Sequence, residues 1–93
     1  MTEKEIQLLG FQNKHVMLKH DDGDGYFDKY HYYTYDIADG LSFISNASDE
    51  ITEDDGWFIE FFDTEPNIRF SNFAQAQALI NTLEKAKTLK TTI

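Results

Sequence analysis

Ninety-three residues, 41% hydrophobic and 15% aromatic, make one domain with a modest core, and this content argues against disorder despite a net charge of −9. The chain has no cysteine, which excludes disulfides, thiolate metal sites and cysteine nucleophiles. The acidic balance disfavours direct binding to nucleic-acid backbones or anionic lipids, since both would be repelled.

The opening Met1-Thr2-Glu3-Lys4-Glu5 lacks the basic and apolar stretches of a secretory signal. No apolar run approaches the ~20 residues that span a bilayer, so a cytoplasmic location is expected. Thr2 and Glu5 have capping-box spacing, and Gly10 supplies a position that tolerates positive φ. A short helix over residues 3–9 follows, with Ile6 and Leu9 on one side.

From Lys14 to His20 polar and apolar residues alternate, which predicts a half-buried strand with Val16 and Leu18 on one face. Asp21-Asp22-Gly23-Asp24-Gly25 reads as a turn. All five tyrosines then fall within ten residues, Tyr26 to Tyr35, and the strand predicted over residues 30–37 is aromatic on both faces. Ile37 shares a face with His31, Tyr33 and Tyr35, so that face is placed inward. Tyr30, Tyr32, Thr34 and Asp36 are placed outward.

Ala38-Asp39-Gly40 is a tight hairpin turn, with a third strand over residues 41–45. Residues 46–56 form the longest loop. The fourth strand is expected over residues 57–63, with Trp57, Ile59 and Phe61 inward and Phe58, Glu60 and Phe62 outward. An unpaired buried carboxylate is costly, so Glu60 decides that assignment. After Pro66, residues 67–70 are a short fifth strand or extended piece. Ser71 or Asn72 caps a final helix whose stripe is Phe73, Ala76, Ile80 and Leu83 and which runs to about Thr88.

The fold expected is a single α+β domain over residues 1–93. It has a four- to five-stranded, mainly antiparallel sheet, a C-terminal helix on one face and a short N-terminal helix.

Chemistry-bearing motifs are sparse. The run Asp21 to Asp28 invites a calcium reading, but counted from Asp22 an EF-hand loop meets Tyr26 at its fifth position and no glutamate near its twelfth, so an acidic turn explains it better. His20 and His31, with Asp22 or Asp28, could approach a zinc site, but strand parity sends His15 and His20 to opposite faces. Surface histidines explain the pattern better. Glu60 with Asp63 would suit acid–base chemistry, but among seventeen acidic residues such pairs arise by chance. No phosphate-binding glycine loop or nucleophile elbow occurs. Asn46-Ala47-Ser48 matches a glycosylation sequon that means nothing without a secretory signal. Lys85, Lys87 and Lys90 suit a helix C-terminus better than a nucleic-acid patch. A non-enzymatic protein with no cofactor and no metal is the expectation.

The remaining signal is a coincidence of charge and rings. Fourteen acids and a single lysine lie between Asp21 and Glu65, the segment that holds the tyrosine run. Asp49, Glu50, Glu53, Asp54 and Asp55 form a carboxylate-rich loop that would steer a basic protein partner. Tyr30, Tyr32, Phe58 and Phe62 would supply apolar anchors beside it. The plainer alternative is a solvated acidic surface whose outer rings are covered by the N-terminal helix. Two sharper alternatives are an anionic mimic of nucleic acid that occupies a basic groove, and a small calcium- or metal-binding domain. Phe58 and Phe62 pairing across a twofold axis would make a homodimer.

The opening Glu5-Ile6-Gln7-Leu8-Leu9-Gly10-Phe11, the middle Tyr32-Tyr33-Thr34-Tyr35-Asp36-Ile37, and Ile68-Arg69-Phe70 before Asn72-Phe73 resemble small uncharacterised proteins of bacteriophages and other mobile elements, particularly of Bacteroidetes-type hosts. That resemblance implies no established activity and no catalytic residues. It implies an accessory role against a host protein.

Overall fold

The computed structural model describes residues 1–19, 25–53 and 56–88. Helix α1 (Glu3–Leu8) begins as its capping box requires: the Glu5 amide donates to Thr2 Oγ1 at 3.2 Å and the Thr2 amide to Glu5 Oε1 at 2.8 Å. Gly10, at φ +94°, turns the chain into the sheet. Five strands follow as a meander in the order β1-β2-β3-β4-β5, every neighbouring pair antiparallel. They are β1 (Gln12–Lys19), β2 (Tyr26–Ala38), β3 (Leu41–Ser45), β4 (Ile59–Phe61) and β5 (Arg69–Phe70), and α2 (Phe73–Thr88) closes the chain. The Asn72 side chain, rather than Ser71, caps α2 by accepting from the Gln75 amide at 3.0 Å. The architecture is α+β, with a five-stranded antiparallel sheet, a C-terminal helix and a short N-terminal helix.

One core forms on one face of the sheet. Tyr33, Phe43 and Ile59 project from β2, β3 and β4 against Ile6 of α1 and against Ala76 and Ile80 of α2. Phe43 is fully buried and stacks on Phe61 with ring centroids 4.6 Å apart. Phe11 packs beside Tyr35 at 5.3 Å. Tyr33, Tyr35 and Ile37 therefore lie inward as strand parity predicts. The N-terminal helix does not cover the outer rings: Ile6 joins the inner core, so α1 lies on the same face as α2. The opposite face carries no α-helix among the described residues, only the short 3-10 turn Ser48–Glu50 at its margin.

Four strands depart from the sequence expectation, β5 by covering only Arg69–Phe70 of the residues 67–70 expected. β2 starts at Tyr26 rather than residue 30, continuing through a bulge where Val16 pairs with Tyr30 and Met17 with Asp28, leaving Lys29 without an opposite residue. That extra residue brings Asp28 to the side of His15, whose Nδ1 lies 3.1 Å from Asp28 Oδ1. β4 covers only three residues: the amides before it bond elsewhere, and after it the chain turns at Asp63 once the Phe62 amide has donated to Ser42 O at 2.9 Å. The Trp57 amide donates to Met1 O at 3.1 Å, the Phe58 amide donates to the Asn46 side chain, and Asp63 has φ +62°. β1 begins two residues earlier than expected and is exposed at every position except half-buried Val16. The predicted turn at residues 21–25 and the fraying end at 91–93 fall, apart from Gly25, outside the described residues.

Candidate functional site

The bare face owes its shape to the place where β3 leaves β2. Their pairing ends at Thr34 with Ile44, and two serine side chains continue the ladder in place of main chain. The Tyr33 amide donates to Ser45 Oγ at 2.9 Å, and the His31 amide donates to Ser48 Oγ at 3.0 Å. Ser45 in turn donates to the Asn46 carbonyl at 2.8 Å, so its hydroxyl is used in both directions. As the strands separate, an open groove of about 360 Å³ forms between Tyr30 and Tyr32 on one side and Ile44, Ala47, Asp49 and Glu50 on the other.

A second hollow of about 240 Å³ is lined by Tyr32, Thr34, Asp36, Ser42, Ile44 and Phe62. Tyr32 and Ile44 line both, so the two hollows form one trough across the outer face of β2 and β3. Its floor is aromatic and aliphatic. Carboxylates stand at both ends, Asp49 and Glu50 at one and Asp36 at the other. Glu50 spends one oxygen on its own backbone, accepting from the Ala47 amide at 2.9 Å. Asp49 is exposed at the rim.

The anticipated aromatics divide. Tyr30 and Tyr32 are half-buried neighbours with centroids 6.5 Å apart, and Phe62 is 58% exposed at the far end of the trough. Phe58 is already occupied: the Arg69 guanidinium lies 3.8 Å above its ring. The same guanidinium stands 3.8 Å from the Glu60 carboxylate, too far for a hydrogen bond but close enough to offset its charge. One face of the Phe58 ring is thus covered by Arg69. Glu53 is exposed and lies outside the trough's lining, and Asp54 and Asp55 lie outside the described residues. Ile44, Ser42 and Asp36 also line it, together with Ser45 and the core residue Phe43. Ile44 could have been found from strand alternation, since it shares the outward face of Thr34 across the ladder.

Beneath α1, on the inner face, a second polar constellation gathers. Glu3 Oε2 accepts from Tyr33 OH at 2.6 Å and stands 2.6 Å from His31 Nε2, while Gln7 Nε2 donates to Tyr33 OH at 3.0 Å. The tyrosine bond holds the Glu3 carboxyl below the usual carboxylate range, outweighing the opposing effect of burial, with His31 adding to it. Burial, reinforced by Glu3, pushes the Tyr33 phenol up. Trp57 packs against both rings, at 5.7 Å from His31 and 5.6 Å from Tyr33. Those short bonds fasten α1 to β2, and none of these side chains lines the trough.

His31 faces His15 across the β1–β2 ladder, with ring centroids 5.7 Å apart. His20 and Asp22, expected near His31, lie outside the described residues, as do residues 21–24 of the calcium-like run, and Asp28, the other carboxylate expected, stands beside His15. Among the described residues, no group of three histidine or carboxylate side chains is placed to hold a metal. Nor is any helix among them long and apolar enough to cross a membrane.

No family model, curated protein or solved structure matches this chain. The trough is the feature from which a function can be argued.

Proposed function

We propose that the chain is a non-enzymatic protein-binding module whose outer trough receives an extended segment of a basic partner. The observation that carries this reading is the placement of both helices on one face, which leaves Tyr30, Tyr32, Ile44 and Phe62 uncovered between carboxylates. Tyrosine supplies a large contact area at a small cost in side-chain entropy, and an acidic rim steers and orients cationic side chains. Arg69 offers an internal precedent, seating its guanidinium on a phenyl ring beside a carboxylate. An accessory, cytoplasmic role is part of the same proposal.

Selection from a random peptide display library tests it. Sequences with lysine or arginine flanking an apolar or aromatic residue should be enriched, and binding should be lost in the Tyr30→Ser/Tyr32→Ser double variant while its far-ultraviolet circular dichroism is retained. Binding undiminished in that variant would refute the reading. Salt separates it from a nucleic-acid mimic: aromatic anchoring survives high salt, whereas a charge-dominated interface collapses.

A further inference from the structure

The outermost strand, β1, has a free edge whose geometry can be read from the strand beside it. The His31 and Tyr33 amides point towards Ser48 and Ser45, away from β1. Main-chain groups alternate in direction along a strand, so those of Tyr30, Tyr32 and Thr34 point to β1. Their register partners Val16, Lys14 and Gln12 point back. The intervening Asn13, His15, Met17 and Lys19 therefore direct their N–H and C=O groups outward, where no described group bonds to them.

The strand is long, has no proline, and exposes Met17 at 49% and Leu18 at 40%. Such an edge is a template for another strand. It also carries Lys14 and Lys19 and no carboxylate, in a chain of net charge −9.

We infer that β1 pairs antiparallel with β1 of a second copy of this chain, about a twofold axis at Val16. In that register Val16 meets Val16 of the second copy, and Lys14 meets Leu18 of the second copy. His15 meets Met17 and Asn13 meets Lys19. Neither lysine faces another lysine, and all four outward residues find partners, exchanging roughly eight main-chain hydrogen bonds.

Val16 and Leu18 of both copies come together on the outer face, since Val16 pairs with Tyr30 and shares its side of the sheet. Joining two acidic molecules through a strand that carries two lysines and no acid keeps the carboxylate-rich segments apart. The product is a continuous ten-stranded sheet with both troughs on one face, about 20 Å apart at the usual strand spacing. This inference does not depend on what the troughs bind.

The chain has no cysteine, so a single introduced one is a clean reporter. Val16→Cys should oxidise to a covalent dimer at least tenfold faster than Asn13→Cys, whose position lies far from the axis. In sedimentation velocity from micromolar to near-millimolar concentration, the wild type should approach twice 10.8 kDa. Met17→Pro deletes an outward N–H and leaves the bonds to β2, so it should sediment as a folded monomer. Met17→Ala keeps the donor and should still dimerise. A wild type monomeric throughout, a dimer that persists in Met17→Pro, or equal cross-linking of the two cysteine variants would overturn the inference.

Discussion

Removing the phenolic oxygen of Tyr33 tests whether α1 is held to the sheet by one charged hydrogen bond. Tyr33 is 1% exposed and its hydroxyl lies 2.6 Å from Glu3 Oε2, so Tyr33→Phe keeps the ring against Trp57 and deletes only that bond and the contact with Gln7. A hydrogen bond to a charged group is worth about 1.5–3 kcal/mol. The Glu3 side chain is 38% exposed and keeps His31, so water recovers part of the loss and the lower end, about 1.5 kcal/mol, is expected. At about 4–8 °C per kcal/mol for a domain of this size, the midpoint should fall by about 6–12 °C.

Glu3→Gln, paired with Tyr33→Phe in a double-mutant cycle by urea denaturation, should show a coupling of about 1 kcal/mol. Because Glu3 is lowered in the folded state, the unfolded chain binds more protons and stability rises with pH. Its contribution is complete above the unfolded value near 4.3 and disappears as pH falls through the lower folded one, so the Tyr33→Phe penalty should shrink in acid. Additivity within about 0.3 kcal/mol, with a penalty independent of pH, would show that the bond does not fasten the helix.

Ser45→Ala should cost about 1–3 kcal/mol in urea denaturation, since the buried Tyr33 amide loses its acceptor, and exchange of that amide measured by NMR should accelerate. Gly10→Ala should cost about 1–2 kcal/mol, because its φ of +94° disfavours a side chain and the added carbon would press on the Tyr35 ring at 3.4 Å. Isothermal calorimetry with a selected Lys/Arg-bearing peptide should show weaker binding for Phe62→Ala with an unchanged melting point, as Phe62 is exposed and outside the core.

Helix ends were the most legible part of the chain, because caps act over three or four residues. Thr2 and Glu5 form the reciprocal box their spacing implies, and Asn72, one of the two caps expected, accepts from the Gln75 amide. The inward face of β2 was legible from Ile37 alone. What escaped were features decided by residues far apart in sequence. Lys29 makes a bulge inside a run aromatic on both sides, where parity carries no information. β4 is short because Met1 and Asn46 take the bonds that its first residues would give a neighbouring strand.

The side of the sheet chosen by α1 was likewise obscured. Glu3, Ile6 and Gln7 share one stripe of that helix, so the polar pair that meets Tyr33 was marked by its apolar companion. The trough's tyrosines could be named in advance, but its shape could not. The hollow arises where serine hydroxyls replace a strand's main chain, and nothing local to Ser45 or Ser48 announces that.

With both helices on one side, the work of folding and the work of recognition fall to different layers of the molecule. None of Tyr30, Tyr32, Thr34, Ser42 and Phe62 belongs to the buried cluster. Selection by a partner can therefore rewrite that surface at little thermodynamic risk, and a laboratory can do the same. On the proposed reading the molecule works as a display surface, a changeable sheet face on a backing that need not change with it.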